Sequence, residues 1–191
     1  MRVGLLGGMF DPIHLGHLRA AEIVREGLGL HEVLFMPAAV PPHRPPPEAP
    51  ARDRYAMVAL ATAGRAAFVP SDLELEREGP SYTVETVAAL GRRAAGTEVF
   101  LIVGSDNLLQ IAQWREPERL LDLCTVAVVE RPGNGPGPLL GFPSARVRRV
   151  EGTALPIASR DLRQAIRAGR SVRHLVPDAV ADYIEKRGLY R

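Results

Sequence analysis

The chain is 191 residues long and holds a single cysteine, a single lysine and a single tryptophan. With Cys124 alone no internal disulfide can form, which excludes a stapled secreted scaffold. Cys124 and the scattered His31, His43 and His174 show no ligand-like spacing, so a structural zinc site is not expected. No apolar run approaches the roughly 20 residues needed to cross a bilayer, and the first apolar stretch has no signal-peptide layout around it. A cytoplasmic protein without a membrane partner is expected. Charge of one sign is lacking too. The 24 basic and 22 acidic side chains leave a net charge of +2, too small for a nucleic-acid footprint, and no nucleic-acid partner is expected. Because Lys186 is the only lysine, any cation placed on an anionic ligand must be an arginine or a histidine.

What is present is globular. Hydrophobic residues make up 46% and charged residues 24%, which suits a packed core, and the length suits one domain, 1–191. Strand-like and helix-like segments alternate along it. An apolar run at 3–6 reads as a buried strand, and the spacing of 18–24 is helical. Further strands are expected at 32–37, 66–70, 98–103, 125–130 and 147–150. Helices are expected at 52–63, 83–94, 106–111, 117–123 and 159–168, the last closed by Gly169, with a final helix after Pro177. The Pro-rich stretch 38–50 and the Gly/Pro-dense stretch 131–143 read as loops. This alternation predicts an α/β doubly wound, mostly parallel sheet with its ligand site at the carboxyl ends of the strands. The C-terminal part, about 157–191, is helical. The first loop, the loop after Val103 and the loop before Ser159 should therefore converge.

The densest signal is the segment 7–17, Gly-Gly-Met-Phe-Asp-Pro-Ile-His-Leu-Gly-His. It lies between the first strand and the first helix, where backbone N–H groups and the helix dipole favour an anion. His14 and His17 straddle the helix start and can face one bound group. A glycine pair after a strand is by itself only a turn. A dinucleotide-binding loop does not fit, because Gly4, Gly7 and Gly8 have the wrong spacing and strand two runs out into Pro37 instead of an acidic residue.

Four further motifs fall at strand ends or helix starts. Pro41-Pro42-His43-Arg44 opens the Pro-rich loop, which could otherwise be a plain spacer. Ser81-Tyr82-Thr83-Val84-Glu85-Thr86 starts a helix and could be capping alone. Gly104-Ser105-Asp106, with Trp114 downstream, follows the central strand; an Asp there can cap a helix or accept ribose hydroxyls. Ser159 and Arg163 lie one turn apart at another dipole-positive helix start.

The His-x-Gly-His block resembles the nucleotidyltransferases related to class I tRNA synthetases. Taken in order, all the blocks resemble the bacterial nicotinate-mononucleotide adenylyltransferases, down to the ending 175–191 with its Leu-Val-Pro, Tyr-Ile and Leu-Tyr-Arg. Two places depart from that family's pattern. Met9 replaces a small hydroxyl residue, and Ala158 and Arg160 alter the late Ser-rich helix start. The resemblance implies a Rossmann-like nucleotidyltransferase fold and transfer of AMP from ATP to nicotinate mononucleotide in NAD biosynthesis. It implies Mg²⁺ accompanying ATP, with no protein side chain as metal ligand. A homo-oligomer stays open.

By the same resemblance, His14, His17 and Arg163 are the candidate catalytic residues. Gly8, Met9, Phe10, Gly104, Asp106 and Ser159 join them at ATP. Arg44, Tyr82, Thr83, Thr86, Trp114 and Arg115 are expected at the nicotinate nucleotide. Alternatives on the same fold are transfer to nicotinamide mononucleotide or phosphopantetheine, or a non-catalytic nucleotide sensor. Phosphopantetheine gives no reason for the Ser-Tyr-Thr block or Trp114. A sensor could shed the histidines, which are here. A class I synthetase fragment needs a lysine-rich second signature, which one lysine cannot supply.

Overall fold

The computed structural model describes residues 1–42, 45–93, 96–108, 110–130 and 146–191, the side chains of Arg93 and Asp106 excepted. The expected loop 131–143, His43 and Arg44 lie outside the described residues. Strands β1 (Arg2–Gly8), β2 (Glu32–Pro37), β3 (Phe68–Pro70), β4 (Glu98–Gly104), β5 (Thr125–Val129) and β6 (Val147–Val150) form one sheet in the order β3-β2-β1-β4-β5-β6. Every pairing is parallel. This is the doubly wound order, and its direction reverses between β1 and β4.

The strands are apolar on both faces, as a sheet covered on both sides requires. Leu6, Ile102, Ala127 and Val129 point to one core; Leu5, Leu101, Val126 and Val128 point to the other. The first core is closed by helices α1 (Leu15–Leu28), α2 (Ala51–Thr62), α6 (Ser159–Arg167) and α7 (Asp178–Arg187), through Val24, Met57, Leu162 and Ile184. The second is closed by α3 (Thr83–Arg93), α4 (Ser105–Leu108) and α5 (Pro117–Leu123), through Val87, Leu108 and Leu120. The expected strand 66–70 is shorter than its apolar pattern. Strand three begins at Phe68 because Phe68 N–H closes a turn onto the Arg65 carbonyl at 2.8 Å. Of the expected helix 106–111 the structure describes α4, Ser105–Leu108, and a 3₁₀ turn, Ile111–Gln113, leads to Trp114.

Candidate active site

A cavity of about 440 Å³ opens at the carboxyl ends of β1 and β4, where the sheet order reverses. Gly7 and Gly8 end β1, Gly104 ends β4, and the start of α6 closes a third side. The three loops expected to converge do so. A Cβ on Gly7 would meet nothing within 4 Å, so this backbone faces open space.

The histidine pair is set by local geometry. His14 is the N-cap of α1, and its backbone N–H donates to Nδ1 of His17 at 3.2 Å. The two rings stack at 3.6 Å between centroids and 21° between planes. Phe10 meets His17 edge-on at 5.0 Å. Phe10 holds a left-handed backbone, φ 48, which is costly for a bulky residue and is maintained by its burial. Gly16 is what allows the stack. A Cβ there would lie 2.9 Å from His14 Nδ1 and 3.2 Å from the Leu155 carbonyl oxygen.

The α6 side brings Ser159 and Arg163 to the same cavity. Ser159 Oγ donates to the Pro12 carbonyl at 2.9 Å, tying α6 to the glycine loop. Arg163 donates through Nη1 to the Asp11 carbonyl at 2.8 Å and through Nε to Glu48 Oε1 at 2.7 Å. Ala158 is the N-cap and offers no side-chain acceptor. No side chain therefore caps the start of α6, whose dipole-positive end borders the cavity. Met9 also lines the cavity; Arg160 does so from an exposed position beside Asp161.

Beneath the loop lies a polar framework that sequence reasoning missed. Arg54, only 1% exposed, donates to the carbonyls of Met9 at 2.7 Å, Ala38 at 2.8 Å and Ala49 at 3.2 Å. It thus brackets the glycine loop and both ends of the Pro-rich connection. Burial lowers its pKa, and the charge of Asp11 opposes that shift. Asp11, equally hidden, accepts the backbone N–H groups of Glu48 and Ala49 and the hydroxyl of Tyr190. Asp11 stands inside the first motif, but nothing in the sequence pairs it with residue 190.

The other end of the cavity is aromatic. Tyr82, Thr83, Trp114 and Arg115 line it, with Glu74 at its wall. The Arg115 guanidinium lies 4.5 Å from the centroid of the Tyr82 ring, a cation–π distance. Thr86 does not line the cavity. It is fully buried and its hydroxyl donates to Glu74 Oε1 at 2.6 Å, so it supports the wall from behind. Burial pushes the Glu74 carboxyl above the ordinary range, against hydrogen bonds from Thr86 and Ser81 and the charge of Arg77. Ser81 carries the wall to the Pro-rich connection: its N–H donates to the Val40 carbonyl, and its Oγ accepts from Ala39 N–H, both at 2.9 Å. Asp106 sits in α4 with its side chain outside the description, as Arg44 is altogether.

Among the described residues no group of three or more His, Cys, Asp or Glu is placed to hold a metal ion. No helix among them is long and apolar enough to cross a membrane.

The model of the cytidylyltransferase-like family matches residues 5–171. A protein of Thermus thermophilus is 48% identical over 191 residues, the whole of both chains. One of Symbiobacterium thermophilum is 47% identical over 99% of this chain and 95% of its own. Both carry the name "probable nicotinate-nucleotide adenylyltransferase". The chain belongs to the cytidylyltransferase-like family, alongside these adenylyltransferases. Its fold is shared by the nicotinic acid mononucleotide adenylyltransferase of Plasmodium falciparum, solved with NaAD, at a TM-score of 0.80. That match covers 99% of this chain and 97% of the other at 17% identity, so it speaks to fold alone. In this chain His14 and His17, stacked on each other, line a cavity whose far end is aromatic.

Proposed function

We propose that this chain, as a single nucleotidyltransferase domain, transfers AMP from ATP to nicotinate mononucleotide, releasing pyrophosphate and nicotinate adenine dinucleotide for NAD biosynthesis. One observation carries the reading: a single cavity joins a cationic, helix-dipole end to an aromatic end. That is the shape of two nucleotides laid phosphate to phosphate.

The chemistry needs little from the protein. A phosphate monoester near neutral pH is mostly dianionic, its second pKa being about 6, so it attacks the α-phosphorus without a general base. Catalysis is then alignment of two polyanions and stabilisation of charge building on the leaving pyrophosphate. His14 and His17 face the triphosphate with the backbone of Gly8, Met9 and Phe10, and Ser159 and Arg163 take its β/γ end. Gly104 and Asp106 meet the adenosine ribose. Trp114 stacks on the pyridine ring with Tyr82, Thr83 and Arg115 around it, and Arg44 serves the mononucleotide from the Pro-rich loop. Thr86 acts through Glu74.

Mg²⁺ enters on the triphosphate as part of the substrate, where it offsets negative charge. Asp11 is not available to it, being engaged by two backbone N–H groups and Tyr190. A cytoplasmic setting suits both substrates. Turnover measured with ATP against nicotinate mononucleotide, its amide and phosphopantetheine tests the reading. Preference for the acid supports it; preference for phosphopantetheine or absence of turnover with all three overturns it.

A further inference from the structure

We propose that Glu48 is a positioning residue, whose carboxylate fixes the Arg163 guanidinium in the attitude that meets the triphosphate. This rests on the reading of Arg163 as a triphosphate ligand. Glu48 ends the Pro-rich connection just before α2, and its main chain is held. Its N–H donates to Asp11 Oδ2 at 2.8 Å, and that of Ala49 donates to Oδ1 at 3.0 Å. Asp11 is 2% exposed and cannot drift, so the Glu48 backbone is fixed to the glycine loop.

From that fixed point the side chain reaches α6. Oε1 accepts Arg163 Nε at 2.7 Å, and Oε2 is the partner of Arg167 Nη2. Arg163 and Arg167 are four residues apart and share one helix face. Arg163 is also held by the Asp11 carbonyl through Nη1 at 2.8 Å. A planar guanidinium gripped at Nε and at Nη1 has its plane and direction set before any ligand arrives. Arg160 shows the contrast in the same cavity wall: its partner is its own neighbour, Asp161, at 3.4 Å.

A carboxylate beside a phosphate-binding arginine would repel the phosphate if it faced one cation alone. Here Arg163 and Arg167 share Glu48, while the Asp11 carboxylate, 3.8 Å from Arg163 Nη1, also faces the charge of Arg54, so three guanidinium groups outnumber two carboxylates. The opposite arrangement, in which Glu48 merely occupies Arg163 until ATP displaces it, makes the opposite prediction.

ATP binding with Mg²⁺ by isothermal titration, together with kcat/KM for ATP, separates them in Glu48→Ala and Glu48→Gln. Both variants are expected to lose at least tenfold in ATP affinity and kcat/KM, with KM for the mononucleotide and the melting temperature nearly unchanged. In an Arg163→Ala background the Glu48 substitution should add nothing. Tighter ATP binding in Glu48→Ala overturns the proposal, as does a loss that adds in full to that of Arg163→Ala. If Arg163→Ala weakens ATP binding and the Glu48 variants do not, the positioning role fails while the reading of Arg163 stands. If Arg163→Ala leaves ATP binding intact, that reading itself fails.

Discussion

At the scale of single residues, the site depends on a missing side chain as much as on those present. Gly16 leaves room for the His14 ring, and a methyl group would lie 2.9 Å from Nδ1 and 3.2 Å from the Leu155 carbonyl oxygen, backbone that cannot swing aside. Gly16→Ala should therefore separate the stacked rings, with a stability cost of about 1–3 kcal/mol for overpacking. Turnover should fall by about 100-fold or more, since a misplaced group of about an ångström has that effect. Steady-state kinetics beside urea denaturation separates the two. His17→Ala removes the ring itself; under the proposed function, in which its contribution grows as charge builds on the leaving group, it should lower turnover by orders of magnitude in a folded protein. Arg115 is, after the backbone N–H groups near Tyr82 and Thr83, the second candidate for a different property. Trp114 can stack on an acid or an amide pyridine alike, so discrimination needs a group facing the carboxylate. The Arg115 guanidinium, over Tyr82 and 3.5 Å from Glu116, lines that end of the cavity and is tested as such a group. Arg115→Ala should lower the acid-over-amide ratio of kcat/KM tenfold or more, about 1.4 kcal/mol. An unchanged ratio would leave the choice to backbone N–H groups near Tyr82 and Thr83.

Elements add what no residue shows alone. The Pro-rich connection is tied at its start to Ser81 and at its end to Asp11, while Arg54 holds both ends from below. It thus links the aromatic wall to the glycine loop. Closure over bound nucleotide should protect the 38–50 stretch from limited proteolysis when an ATP analogue and Mg²⁺ are added; equal cleavage would exclude it as a lid. On the aromatic side, α3 begins over the buried Glu74, whose carboxyl burial pushes up. A raised pKa in the folded state means that this group favours folding fully below its unfolded pKa of about 4.3, and loses that contribution as pH rises through the folded value. Glu74→Gln keeps an acceptor for Thr86 and removes the buried charge. It should match or exceed the parent in stability at pH 7 and lose that advantage near pH 4, read by urea denaturation at the two pH values. The start and end of nearly every element were legible, because apolar spacing and Pro or Gly punctuation are local. Glu74 and Arg54 were not. Each sits in a charged stretch that reads as solvated surface, and only tertiary packing buries it.

Across the whole molecule, the topology was legible in the alternation of strand and helix, and so was the convergence of three loops, because chain crossovers in such sheets leave few alternatives. The link between residues 11 and 190 was not, since it joins the first loop to the far end of the sequence. Tyr190 is 7% exposed, holds φ 65 and donates its hydroxyl to Asp11 Oδ1 at 2.8 Å. Burial, then the charge and hydrogen bond of Asp11, raise its pKa well above that of a free phenol. The hydroxyl's contribution is therefore fully present below about pH 10, the unfolded value, and is lost as pH climbs beyond it toward the folded value. Cys124, whose thiol burial pushes up to about 12, adds a loss of the same sign that begins at lower pH. Tyr190→Phe keeps the ring and removes the bond to the carboxylate, at a cost of about 1.5–3 kcal/mol at pH 7. It should also flatten the alkaline fall in stability above pH 10 while leaving the Cys124 part in place. Chemical denaturation of parent and variant from pH 7 to 11 measures both, and a constant difference between them across that range would show that the phenol is not coupled to the fold through Asp11. Because Asp11 also receives Glu48 and Ala49, the variant should loosen the glycine loop from a distance. ATP affinity should fall with it, although Tyr190 does not line the cavity.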